Sequence, residues 1–158
     1  MNSEVKQVSL KEMFPLIEEQ LKNGGTVTFK PHGISMLPLI RQGRDSVTLT
    51  QNTAQLKKND IAFYRRRDGS FVLHRIVKVL PDNTFTMCGD NQTILEPGIA
   101  YEQVIGVATG INRDSSFHSV NSLYMKLFCL YAKIRRWFRK SLLKRAIRWG
   151  LRKCKIRK

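Results

Sequence analysis

After Asp114 the sequence contains no acidic residue, and nowhere does it hold an apolar run long enough to cross a bilayer as a helix. A spanning helix needs about 18 apolar residues. The uncharged stretch at residues 115–125 is polar in its first half and stops at Lys126, so no transmembrane helix is expected. Residues 1–10 lack a basic cluster followed by an apolar segment, which leaves a secretory leader unsupported there. Cysteine is scarce: Cys88, Cys129 and Cys154 are an odd number without close spacing. That argues against a disulfide framework and for a reducing, cytoplasmic setting. The three histidines and three cysteines show no metal-ligand spacing, so neither a metal nor another cofactor is expected.

What is present is one ordinary domain's worth of chain, 158 residues with 42% hydrophobic residues, enough to exclude a disordered or collagen-like polymer. The net charge of +16 is unevenly placed. Fourteen of the 28 lysines and arginines, and none of the 12 acidic residues, lie in residues 115–158, leaving +2 for residues 1–114 and +14 for the tail. Only the tail therefore carries the signal for an anionic partner. The composition suggests three segments: an N-terminal helix in residues 1–25, a β-rich body in 26–114 and a basic tail in 115–158.

Ser9-Leu10-Lys11-Glu12 has the form of a capping box, and Leu10, Met13, Ile17 and Leu21 recur at helical spacing up to Gly24-Gly25. Pro15 interrupts the amide donors, which places the start of regular helix between Ser9 and Pro15. After the glycines the period changes to two. Val27 and Phe29, Val47 and Leu49, Ile61 and Phe63, then residues 71–80, 85–87 and 104–109 read as about six short antiparallel strands. Asp68-Gly69 supplies the backbone freedom for a tight hairpin.

Three elements could carry chemistry. Ser35 sits in Gly33-Ile34-Ser35-Met36-Leu37-Pro38, a Gly- and Pro-flanked loop between strands. A serine there is most often a turn residue and becomes a nucleophile only with a base beside it. His74 lies within Phe71-Val72-Leu73-His74-Arg75-Ile76-Val77, on the strand face shared with Val72 and Ile76, where a satisfied core histidine is the plainer reading. The segment Gly89-Asp90-Asn91-Gln92-Thr93-Ile94-Leu95-Glu96 offers two carboxylates, Asp90 and Glu96, either of which could orient an imidazole, although Asp-Asn after glycine is also an ordinary turn.

Taken in order, Gly33 to Pro38, Lys58-Asn59-Asp60-Ile61, His74-Arg75-Ile76-Val77 and Gly89-Asp90-Asn91 resemble the type I signal peptidase and LexA-type autoprotease superfamily over residues 27–109. The resemblance implies an antiparallel β barrel, with Ser35 as nucleophile, His74 as general base and Asp90 or Glu96 as the third member. Histidine at the base position is similar to the endoplasmic-reticulum type of signal peptidase. It also implies cleavage of a peptide or precursor protein after small side chains. The Ser35 amide, with another from the Gly33 loop, would hold the oxyanion. The family often has a hydroxyl residue where Gly33 stands. Residues 1–34 are too few for the DNA-binding domain and cleavage site of a LexA-type repressor, so self-cleavage is not expected. Histidine also suits the residues on their own terms, since its ordinary pKa of about 6.5 leaves it neutral at pH 7 without the large shift lysine needs.

In the tail, Leu123, Leu127, Leu130, Ile134, Phe138, Leu142 and Trp149 recur at helical spacing between basic clusters. The pattern predicts a basic amphipathic helix. Trp137, Phe138 and Trp149 suit a membrane interface, and Arg135 and Arg136 suit anionic headgroups. A peripheral membrane location is the favoured expectation; docking on the chain's own body and contact with nucleic acid are the rivals. A second overall reading is a catalytically inactive module of the same fold that uses its tail for binding. No feature of the sequence signals an oligomeric state.

Overall fold

The computed structural model describes residues 10–52 and 55–155. The first helix, α1 (Leu10–Lys22), spans the expected region, with Pro15 inside it rather than at its start. Ile17 and Leu21 are its buried residues, one turn apart on the face toward the sheet. Ser9 of the capping box lies outside the described residues.

Eight strands follow: β1 (Thr26–Phe29), β2 (Ser46–Thr50), β3 (Ile61–Arg65), β4 (Phe71–Val79), β5 (Phe85–Cys88), β6 (Glu96–Ile99), β7 (Val104–Arg113) and β8 (Ser116–Ser119). All pairings are antiparallel. The expected six strands are present, and β6 and β8 are additional. Within the basic tail, beyond β8, residues Leu123–Lys155 form the helix α2.

The sheet runs β1-β2-β7-β3-β4-β5-β6, with β8 paired to β7 off this path. Its ends, β1 and β6, do not pair with each other among the described residues, so the sheet is open and the expected barrel is not formed. The physical reason lies in what covers the sheet. Ile17 and Leu21 of α1 and Met125 of α2 join Met36, Leu39, Val47, Leu49, Ile61, Phe63 and Ile111 in one core. Two helices thus bury a face that a barrel would bury by closing on itself. On the other side of β3 a second core gathers Leu56, Ala62, Tyr64, Ile76, Phe85, Met87 and Ile99. Successive residues of β3 alternate between the two cores, the period-two geometry of a strand buried on both faces.

The change of composition at Asp114 is not a structural break. Asp114 and Ser115 both take positive φ, at 47° and 66°, and close the β7–β8 hairpin in which Arg113 faces Ser116. The sheet therefore continues four residues into the basic segment.

Candidate active site

The loop carrying Ser35 hangs on its own apolar side chains. Met36, Leu39 and Ile40 are buried while Ile34 is exposed, which leaves Ser35 half-buried at the point where the loop emerges. Gly33, at φ +95°, takes a left-handed conformation that few side chains tolerate. The turn after β5 fixes the other side. Asn91 N–H donates to the Ser35 carbonyl at 2.8 Å, and Asn91 Nδ2 donates to the Ile34 carbonyl at 3.1 Å. Gly89 makes this approach possible. A Cβ on Gly89 would stand 2.5 Å from the Ser35 carbonyl oxygen and 3.0 Å from the Ser35 Cβ.

His74 projects from β4 and is only 3% exposed. In the β3–β4 register Ala62 is opposite His74 and Tyr64 is opposite Val72, so Tyr64 and His74 are diagonal neighbours on one face. The Tyr64 hydroxyl lies 3.3 Å from His74 Nδ1 and donates to Glu96 Oε2 at 2.7 Å. Arg66 holds the same carboxylate with its fork, Nε to Oε1 and Nη2 to Oε2, each at 2.7 Å.

These contacts dictate where the protons sit. Burial pushes the Tyr64 hydroxyl pKa up, and the Glu96 carboxylate beside it pushes the same way, so the phenol keeps its proton. That single proton goes to Glu96. The phenol oxygen is then an acceptor, and His74 Nδ1 must be the donor to it. The other ring nitrogen, Nε2, is left with its lone pair free. Hydrogen bonds from Arg66 hold Glu96 below the ordinary glutamate value against the opposing effect of its partial burial, and Tyr64 adds to the lowering. His74 is lowered to about 4, mainly by burial and then by the Arg66 cation, with Glu96 and Asp90 opposing. The imidazole is neutral at pH 7.

Ser35 and His74 line one cleft of about 510 Å³. Its walls also include the apolar side chains Phe29, Met36, Ile40, Phe63, Phe71 and Leu73, the backbone of Gly33, and the polar residues His32, Arg66 and Gln92. The arrangement offers a hydroxyl and a neutral imidazole beside a space suited to apolar side chains.

The two candidate carboxylates part company. Asp90 is fully buried and both its oxygens are taken by the Arg75 fork, Nε to Oδ1 at 2.8 Å and Nη2 to Oδ2 at 2.7 Å. Arg75 reaches on to the Asn59 carbonyl and to Cys129 Sγ. Asp90 thus ties the Gly89–Asn91 turn, and through it the Ser35 loop, to β4. Glu96 is the carboxylate linked to the histidine, through Tyr64. Neither Tyr64 nor Arg66 stands out in the sequence; counting pairs outward from the Asp68-Gly69 turn places Tyr64 beside His74.

Helix α2 also touches the loop. Met125 and Ala132 are buried, Arg135 Nη1 donates to the Leu37 carbonyl at 3.3 Å, and Arg139 Nη1 donates to the Asn91 carbonyl and Oδ1 at 2.6 and 2.8 Å. Arg135 thus meets the Ser35 loop. The apolar residues Leu127, Leu130, Ile134, Trp137 and Phe138 are exposed along the helix. The side chains of Leu142 and Trp149 lie outside the described residues. Among the described residues no helix is long and apolar enough to cross a membrane. No protein-family model, curated protein or solved structure matches the chain.

Proposed function

We propose that this chain is a serine peptidase related to the histidine-base type I signal peptidases. Ser35 is its nucleophile, His74 its general base, and Glu96 the carboxylate that acts on the base through Tyr64. The observation that carries this reading is the proton arrangement around His74: a chain from Glu96 through Tyr64 to Nδ1 that leaves Nε2 as an acceptor, in a residue that lines the same cleft as Ser35. A satisfied core histidine needs no such polarity and no cleft.

In the reaction Ser35 Oγ attacks a peptide carbonyl carbon while its proton passes to His74 Nε2. The C–O bond forms as the carbonyl becomes an oxyanion, which backbone amides of the Ser35 loop stabilise. The imidazolium then gives that proton to the leaving amine as the C–N bond breaks. Water, deprotonated by the same nitrogen, releases the acyl group. Burial and Arg66 disfavour the imidazolium in the resting protein, and Glu96, ionised behind Tyr64, opposes them in part, with Asp90. The apolar cleft takes small or apolar side chains of the substrate. The exposed stripe Leu127, Leu130, Ile134, Trp137 and Phe138, beside a row of lysines and arginines, favours work at an anionic membrane surface.

The test is covalent labelling of the full chain at neutral pH with a fluorophosphonate, which traps an activated serine. Labelling of Ser35 is expected, with loss in Ser35→Ala and a drop of about 100-fold or more in rate in His74→Ala. Wild-type protein that remains unlabelled, or labels equally in Ser35→Ala, contradicts the reading and favours an inactive binding module.

A further inference from the structure

Away from the cleft, α2, β4 and the loop before β3 line a second space of about 170 Å³, with Lys58, Asn59, Arg75, Cys129, Lys133 and Arg136 among its walls. Four of these are cations and none is a carboxylate. Arg75 is accounted for by Asp90. Arg136 is not: its Nε and Nη2 are withdrawn from solvent and meet no hydrogen-bond partner. A guanidinium atom hidden from water without an acceptor is costly, and native proteins rarely leave one so. Lys58 and Lys133 are exposed, and neither forms an ion pair among the described residues.

We propose that this cavity is an anion site for a phosphate group, independent of the peptidase reading. The Nε–Nη2 edge of Arg136 is the fork that engages two oxygens of a tetrahedral anion at once, and the two lysine ammoniums supply compact charge beside it. The volume of about 170 Å³ is ample for a phosphate group. The phosphate can belong to a free ion or to a lipid headgroup, and the two arms of the experiment separate these sources.

Inorganic phosphate titrated into the full chain by calorimetry at constant ionic strength is expected to bind saturably. Arg136→Met and Lys58→Met are each expected to weaken it about tenfold or more, the worth of a charge-assisted contact. Lys58 belongs to the body rather than the helix, so its variant guards against an effect that comes only from a displaced α2. Lys78→Met removes the same charge outside the cavity and is expected to change affinity less than about twofold. In the second arm, vesicles of phosphatidylcholine with and without phosphatidylglycerol are bound by wild type and Arg136→Met. Vesicle binding that depends on both Arg136 and phosphatidylglycerol assigns the site to a headgroup; phosphate binding with Arg136-independent vesicle binding assigns it to a free ion. Absence of both Arg136-dependent signals, or a Lys78→Met loss as large as that of Arg136→Met, overturns the proposal.

Discussion

Asp90 and Glu96 stand six residues apart in one segment and each meets the fork of an arginine, yet the two pairs do different work. The Arg75–Asp90 pair is enclosed, with side-chain exposures of 5% and 0%, and its remaining bonds go to backbone and to Cys129. It joins β4, the Ser35 loop's neighbour and α2 into one body. The Arg66–Glu96 pair is partly open, with exposures of 36% and 27%, and keeps one link inward through Tyr64 to His74. A carboxylate sealed against its arginine serves stability. One that still reaches a titratable ring through a hydroxyl can serve chemistry. The comparison shows why a list of nearby acids is not enough to choose a triad partner.

The pairs can be separated by substitution. Asp90→Asn leaves the Arg75 charge buried without its counter-ion and is expected to destabilise the fold by about 3–5 kcal/mol, read as a lower denaturant midpoint. The environment of His74 gives the next effect. Its folded pKa of about 4 lies below the unfolded value of about 6.5, so as pH falls the unfolded chain takes up the proton first. The stability linked to His74 is complete above about pH 6.5 and is lost as pH falls toward about 4, a change of about 3 kcal/mol. A His74→Phe variant, compared with wild type in denaturant titrations across that range, is expected to lack this portion of the pH dependence. The smallest change in free energy is the one that bears on function. Glu96→Gln is expected to slow Ser35 labelling about 10- to 100-fold, or about 1.4–2.7 kcal/mol, while shifting the denaturant midpoint far less than Asp90→Asn. Equal losses of stability in the two variants would erase the distinction between the pairs.

Much of this architecture is legible in the residues. The strands around Ser35 and His74 announce themselves by alternation, and the serine loop by its Gly, Met and Pro. The strands that escape notice have reasons to. β6 begins Glu96-Pro97-Gly98, a run that reads as a turn, and it forms only because it sits at the sheet edge, where a proline costs no ladder bond. β8 is short and polar and depends on two non-glycine residues at positive φ, Asp114 and Ser115, which pattern alone does not reveal. Whether a sheet closes is a long-range property, and here the helices cover what closure would have buried. The tail carries two apolar patterns, and only one is conspicuous. Its conspicuous stripe, Leu127, Leu130, Ile134 and Phe138, faces outward, while the face against the body is made of Met125, Phe128, Cys129, Ala132, Arg135 and Arg139. Met125, Phe128, Cys129 and Ala132 do recur at helical spacing, but the bulkier outward stripe beside them dominates the pattern, and the arginines that continue the inner face find their carbonyl acceptors in distant loops.

The site shows the same division. Ser35 and His74 are visible as motif residues, but Tyr64 reads as an ordinary apolar strand position and Arg66 as a turn charge. Their roles emerge from strand register, which sets Tyr64 diagonally from His74, and from the edge strand that brings Glu96 across.

The central claim is that burial keeps His74 a neutral imidazole while the Glu96–Tyr64 link sets its proton on Nδ1 and leaves Nε2 free. Nitrogen chemical shifts of the His74 ring, followed by NMR through an acid titration of the full chain, test it most directly. The account predicts a protonated Nδ1, an unprotonated Nε2 at neutral pH, and a titration midpoint near 4. A proton resident on Nε2, or a midpoint near the ordinary histidine value of about 6.5, would contradict it.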